Sequence, residues 1–274
     1  MERIKQALER AREQRSDPFS PAVAQAPTAR RRDHTPATAP KEIVYTQTRH
    51  LEVDPEFLRR NRVISGLNDP VAEPYKILRT KVLQRMRANN WRTLVITSPT
   101  EGCGKTLTSI NLAISIAREV NQTVLLVDLD LKRPQVQRYF TPQDLPGISD
   151  YLTSEAPVSD LMFNPKGVDR LVVLPGHASV THSSEMLSSP RMINLIEEMK
   201  SRYPSRIVLL DMPPVLVNDD VLAFSPHVDA VLLVAADGET DKDDLRRATT
   251  LLDKMNILGI ALNRSEAQNS GYYY

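Results

Sequence analysis

Cysteine is almost absent: Cys103 is the one thiol in 274 residues. A disulfide framework is therefore excluded, and a reducing compartment is the fitting expectation. Neither sign of charge dominates, with 35 Lys and Arg against 34 Asp and Glu and a formal net charge of +1. No global field points to nucleic acid or to a membrane surface. No apolar run approaches the roughly 18 residues of a membrane span, and the N-terminus lacks the apolar centre of a secretory signal. The expectation is a cytoplasmic protein. Aromatic residues make up only 5%, yet hydrophobic residues reach 41%, ample for a core. The length suits one large α/β domain or two small ones.

What is present divides the chain into parts. Residues 1–14 place Ile4, Leu8 and Ala11 on one face among dense charges, a short helix too thinly apolar to pack strongly alone. From residue 16 to about 40, prolines, alanines and Arg30, Arg31 and Arg32 cannot build a core and read as a disordered linker. Residues 41–67 show no assignable element. The organisation expected is a leader and linker over 1–60, a folded domain over 61–264 and a flexible tail over 265–274.

Within the domain, Ile77, Leu78, Val82, Leu83 and Met86 recur at helical spacing over 73–88, with Pro74 in the first turn. Trp91 follows as a packing residue. Short apolar runs at 93–97, 123–127, 171–174, 207–210, 230–236 and 260–262 read as strands, and the one at 123–127, with no alternation, has the pattern of a strand buried on both faces. Helical patterns at 107–117, 190–202 and 242–255 fall between them. Strands alternating with helices predict an α/β fold, a mostly parallel central sheet with helices on both faces.

Between the strand at 93–97 and its following helix lies Ser98, Pro99, Thr100, Glu101, Gly102, Cys103, Gly104, Lys105 and Thr106. Strand, tight turn and helix is the context of a phosphate-binding loop. Gly102 and Gly104 let backbone N–H groups turn toward an anion, and the helix N-terminus adds its positive dipole end. Lys105 can reach terminal phosphates, and Thr106 can offer its hydroxyl to Mg²⁺. Pro99 stands where the usual spacing has a first glycine. Small loops between strand and helix are also glycine-rich, so the loop gains weight only beside Asp128, Asp130 and Asp211. These acids sit at strand ends, where such sheets bind ligands, and can hold Mg²⁺ or accept a proton from an attacking hydroxyl. One aspartate alone would read as a helix cap.

Taken together these residues resemble the bacterial tyrosine autokinases tied to capsule and exopolysaccharide export, P-loop NTPases of the partition-ATPase-like branch. Leu125 to Pro134, with Asp128 and Asp130, resembles their second acidic motif. Val208 to Pro214 resembles the third, with Met212 where threonine is usual. Glu73, Lys76 and Arg79 resemble the Glu-x-x-Arg-x-x-Arg subunit-contact helix. Tyr272, Tyr273 and Tyr274 resemble the phosphoacceptor cluster. The family's loop tolerates loss of its first glycine. The resemblance runs from about residue 71 to 274, and the leader is similar to kinases of exosortase-linked polysaccharide systems.

The resemblance implies an ATP- and Mg²⁺-dependent protein-tyrosine kinase that modifies its own tail in trans. Glu101, Gly102, Cys103, Gly104, Lys105, Thr106 and Leu107 would cradle the nucleotide, with Asn263 at adenine. Thr106, Asp130 and Asp211 would hold Mg²⁺, and Asp128 would receive the tyrosine proton. The implied partners are further copies in a ring-like assembly and a membrane-spanning activator of the chain-length-regulator type, which would recruit the protein to the inner membrane face; nucleic acid is not among them. Rival readings are a partition or septum-positioning ATPase and a nucleotide-binding regulatory subunit without kinase activity. The partition enzymes carry an extra loop lysine where this chain has Thr100.

Overall fold

Runs of valine, leucine and isoleucine with no polar alternation form central strands that water reaches on neither face, whereas Ile260 and Leu262 of the last strand are exposed. The computed structural model describes residues 48–265, apart from 67, 155 and 204. The expected leader, most of the linker and the tail, including Tyr272, Tyr273 and Tyr274, lie outside the described residues.

In chain order the elements are β1 (Arg49–Leu51), α1 (Pro55–Arg60), α2 (Ala72–Ala88), β2 (Thr93–Thr97), α3 (Lys105–Ala117) and β3 (Thr123–Asp128). A short 3₁₀ turn at Val136–Tyr139 is followed by α4 (Ile148–Ser154), α5 (Val158–Leu161), β4 (Phe163–Pro165) and β5 (Leu171–Leu174). Then come α6 (Ser183–Leu187), α7 (Pro190–Ser201), β6 (Arg206–Asp211), α8 (Asp220–Phe224), β7 (Ala230–Ala236), α9 (Lys242–Leu251) and β8 (Ile257–Asn263).

The strands form one 8-stranded sheet in the order β1-β4-β5-β3-β6-β2-β7-β8. All pairings are parallel except β4 with β5. Successive strand residues face opposite sides. Leu94, Ile96, Val124, Leu126, Ile207 and Leu209 pack beneath α2 and α3. Val95, Leu125, Val127, Val208 and Leu210 pack on the other side with Leu195 and Ile196 of α7 and Ala248 of α9. Each fully buried valine, leucine or isoleucine side chain stabilises the fold by about 1.5–3 kcal/mol. The α/β architecture with helices on both faces is thus the one expected. Trp91 packs, half-buried, against the first of these cores.

The boundary expected at residue 60 falls inside the folded body. Leu51 and Leu58 are buried in the same core as α2 and α3. Asp54 caps α1 by accepting a hydrogen bond from the Glu56 amide at 2.9 Å. Asn111 of α3 then fixes the next stretch: its Oδ1 accepts from the Ile64 amide (2.9 Å), and its Nδ2 donates to the Arg62 carbonyl (3.0 Å). A strand of 3 residues and a helix of 6 are too short to leave a periodic trace.

Candidate nucleotide and cation site

The strands β3, β6 and β2 are neighbours, and their register brings the acidic ends to the loop. Asp128 lies opposite Asp211, and Ile96 of β2 lies on the other flank of Asp211. Beyond β2 the chain turns through Gly102 (φ 80°) and Gly104 (φ 85°), both in the left-handed region where a side chain would be strained. Gly104 leads into α3 without any side-chain cap, so the helix N-terminus is left to an incoming anion. Thr100 and Cys103 brace the loop from inside: the Cys103 thiol donates to the Thr100 carbonyl at 3.3 Å and also contacts the Thr240 hydroxyl at 3.5 Å.

The Lys105 ammonium donates to Asp130 Oδ2 at 2.8 Å and lies 3.6 Å from Asp211 Oδ2. The Thr106 hydroxyl donates to Asp211 Oδ2 at 2.7 Å, and that of Ser109 to Asp211 Oδ1 at 3.0 Å. The side chains of Lys105, Asp130 and Asp211 are only 12%, 9% and 1% exposed. Burial by itself would depress the lysine pKa, but the Asp211 and Asp130 carboxylates outweigh it and hold it above the ordinary value. Burial pushes the Asp211 pKa up, against the opposing pull of Lys105. The donors here are all oxygen, the ligand type of Mg²⁺, which takes one or two carboxylates plus phosphate oxygens and water. Among the described residues no three His, Cys, Asp or Glu side chains converge into a self-contained metal cage.

Above this cluster opens a cavity of about 430 Å³. Of the expected nucleotide-binding residues, Glu101, Gly102, Gly104, Lys105, Thr106 and Leu107 line it, joined by Asp130. Asp128 does not. It is fully buried, accepts from the Gln135 and Val136 amides (both 2.9 Å) and the Asp130 amide (3.2 Å), and borders a separate cavity of about 40 Å³ beside Gly176 and His177. Burial, with the Asp211 charge next in effect, raises its pKa to about 8. Asn263 is not at the wall either; its side-chain amide donates to the Cys103 carbonyl at 2.9 Å. Residues that sequence reasoning passed over complete the lining: Lys132, Arg133, Gln135 and Tyr139 beyond Asp130, Val217 and Asn218 beyond Pro213 and Pro214, and Arg264. Arg133 reaches Glu101 across the opening at 2.5 Å. Adjacency to Asp130 was the only available signal for Lys132 and Arg133.

A family model described as AAA domain matches residues 91–237, the segment that carries the loop and all the acidic strand ends. The chain belongs to the AAA domain family. The chain is similar to the tyrosine-protein kinase YwqD of Bacillus subtilis (strain 168), 28% identical over 225 residues, covering 78% of this chain and 92% of the relative. The tyrosine-protein kinase etk of Escherichia coli (strain K12) is 30% identical over 227 residues, covering 81% of this chain. Among such longer relatives the chain spans only 27% to 30% of their length. In three dimensions it is similar to the chimerical protein CapA2B2, with TM-score 0.68 and 25% identity over 75% of this chain and 90% of that one. The cell-division ATPase MinD of Pyrococcus furiosus shares the fold alone, at 24% identity and TM-score 0.52 over 64% of this chain and 74% of its own.

The expected subunit-contact residues lie together on α2 with different partners within the chain. Glu73 and Lys76 form an exposed ion pair of 2.8 Å. Arg79 instead turns onto α3, 2.9 Å from Glu119 and donating to the Ser115 carbonyl at 3.1 Å. Among the described residues, no helix is long and apolar enough to cross a membrane.

Proposed function

We propose that this chain is an ATP-dependent protein-tyrosine kinase that phosphorylates Tyr272, Tyr273 and Tyr274 of a neighbouring copy and so regulates exopolysaccharide polymerisation or export. The observation that carries this reading is the buried Lys105, Thr106, Asp130 and Asp211 cluster at the foot of the larger cavity. Relatives named tyrosine-protein kinases supply the direction of the chemistry.

Each residue's part follows from its surroundings. Lys105 is a mobile cation on a four-carbon stem; it can leave Asp130 and Asp211 for the terminal phosphates of ATP. Doing so frees two buried carboxylates, which with the Thr106 hydroxyl fit a Mg²⁺ ion. When bound, Mg²⁺ supplies charge neutralisation across the transferring phosphoryl group. The loop and the α3 N-terminus hold the phosphates, while Leu107, Pro213, Pro214 and Val217 give the cavity its apolar side. A phenol titrates near 10, so alignment and charge neutralisation contribute more than a strong base. Asp128 would take the phenol proton only after release from the 135 and 136 amides; as placed, it holds the turn that carries Asp130, Arg133 and Tyr139 in position.

The reading extends to a homo-oligomer and to a membrane-spanning activator of the chain-length-regulator type, which would bring the kinase to the inner face of the membrane. A phosphotyrosine immunoblot after incubation with Mg²⁺ and ATP tests it. Label on the wild type that is lost when Tyr272, Tyr273 and Tyr274 are changed together to Phe supports the reading. Equal label on that variant would exclude the tail as acceptor, and ATP turnover without phosphotyrosine would favour the ATPase-switch alternative.

A further inference from the structure

We infer that Asn263 and Arg264, at the end of β8, are positioning residues that preset the phosphate-binding loop by tying back two of its consecutive carbonyls. The inference deepens the nucleotide-site reading above and rests on it. Asn263 Nδ2 donates to the Cys103 carbonyl at 2.9 Å, and Arg264 Nη2 donates to the Gly102 carbonyl at 2.7 Å. In a trans peptide the N–H lies opposite its carbonyl. Holding the carbonyls of 102 and 103 toward β8 therefore fixes the N–H groups of Cys103 and Gly104 on the other side of the loop. Successive backbone N–H groups presented in this way form an anion-binding concavity.

Two independent features agree. A Cβ on Gly104 would stand 2.1 Å from Asn263 Nδ2, so the loop glycine and the asparagine amide are fitted to each other. Arg264 adopts φ 59°, a conformation costly for a side chain of its size. That turn brings its guanidinium back over the loop, where Glu239 accepts from Nη1 at 2.6 Å. Strain of this kind persists only where surrounding contacts enforce it, and here the contacts are Glu239 and the loop itself. On this assignment Asn263 acts through the loop and not through adenine.

Calorimetric titration with ATP and, separately, with inorganic tripolyphosphate, which has no base, separates the two roles. The wild type is expected to bind both in the presence of Mg²⁺. Asn263→Ala and Arg264→Ala each remove one hydrogen bond that organises the site, and each should weaken both ligands by the same factor, about tenfold. Arg264→Lys retains a donor for the Gly102 carbonyl and should recover most of that loss. Reversible partial unfolding would also weaken both ligands equally, so each variant is titrated at a temperature where circular dichroism shows it fully folded. Asn263→Ala weakening ATP while leaving tripolyphosphate untouched would overturn the inference in favour of an adenine contact. Unchanged affinity for both ligands in both alanine variants would overturn it as well. A wild type that binds neither ligand would defeat the nucleotide-site reading itself.

Discussion

Removing the Lys105 ammonium should cost stability as well as activity. In Lys105→Met the buried carboxylates of Asp130 and Asp211, 9% and 1% exposed, lose the cation that sits 2.8 and 3.6 Å away. Breaking a buried pair by deleting one partner costs about 3–5 kcal/mol. Asp211 keeps its hydrogen bonds from Thr106 and Ser109, which places the loss near the lower end, about 3 kcal/mol. For a folded body of this size each kcal/mol lowers Tm by about 2–4 °C, so a drop of about 6–12 °C is expected. The sign of the pH dependence follows from the shifts. The lysine pKa is raised by folding, so its stabilising effect is complete below the ordinary lysine range and is lost as pH rises through the higher folded value. In the variant, Asp211 is left with a raised pKa and no counter-charge, so it folds best protonated. The gap between wild type and variant should therefore widen from pH 5 to pH 8. Thermal unfolding followed by circular dichroism at both pH values measures this. Coincident melting curves at pH 8 would refute the reasoning, because Lys105 would then not be the counter-ion of these acids.

Asp211→Asn should abolish the Mg²⁺ dependence of nucleotide binding and Asp130→Asn should reduce it, whereas Asp128→Asn should spare it; titrations with and without Mg²⁺ compare the three. Asp220, fully buried with its Oδ1 accepting from the Ser183 hydroxyl at 2.8 Å, has its pKa raised by burial. The folded state thus holds its proton to higher pH, so this residue makes stability fall as pH rises above the ordinary carboxylate range; Asp220→Asn should flatten that fall in Tm measured against pH. Arg79→Ala breaks the tie from α2 to Glu119 and the Ser115 carbonyl and should cost about 1 kcal/mol by chemical denaturation. Loss of assembly mass by light scattering without that loss of stability would return Arg79 to a subunit-contact role.

Much of the fold was legible because a parallel sheet buried on both faces writes itself as unbroken apolar runs; Val231, Leu232 and Leu233 point to opposite cores yet are all apolar. The loop was legible because left-handed turns demand glycine at 102 and 104. The short strands β1 and β4 were not, since 3 residues carry no period. Side-chain direction was the other hidden quantity. Asp128 and Asp130 are two positions apart, yet one caps backbone amides and the other meets Lys105. Arg79 has the spacing of a contact residue, but within the chain it pairs with Glu119, just beyond α3. Arg264 gave no signal at all, because its reach over the loop depends on one unusual backbone angle.

The central claim is transfer of a phosphoryl group between copies, and intact-mass analysis of a mixture tests it. Lys105→Met chains, which keep Tyr272, Tyr273 and Tyr274 but lack the phosphate-binding cation, are incubated with Mg²⁺, ATP and chains in which those tyrosines are Phe. The account expects phosphate on the Lys105→Met chains only in the mixture, and none on either variant alone. Lys105→Met chains that stay unmodified in the mixture, while the wild type does acquire phosphotyrosine, would contradict transfer in trans.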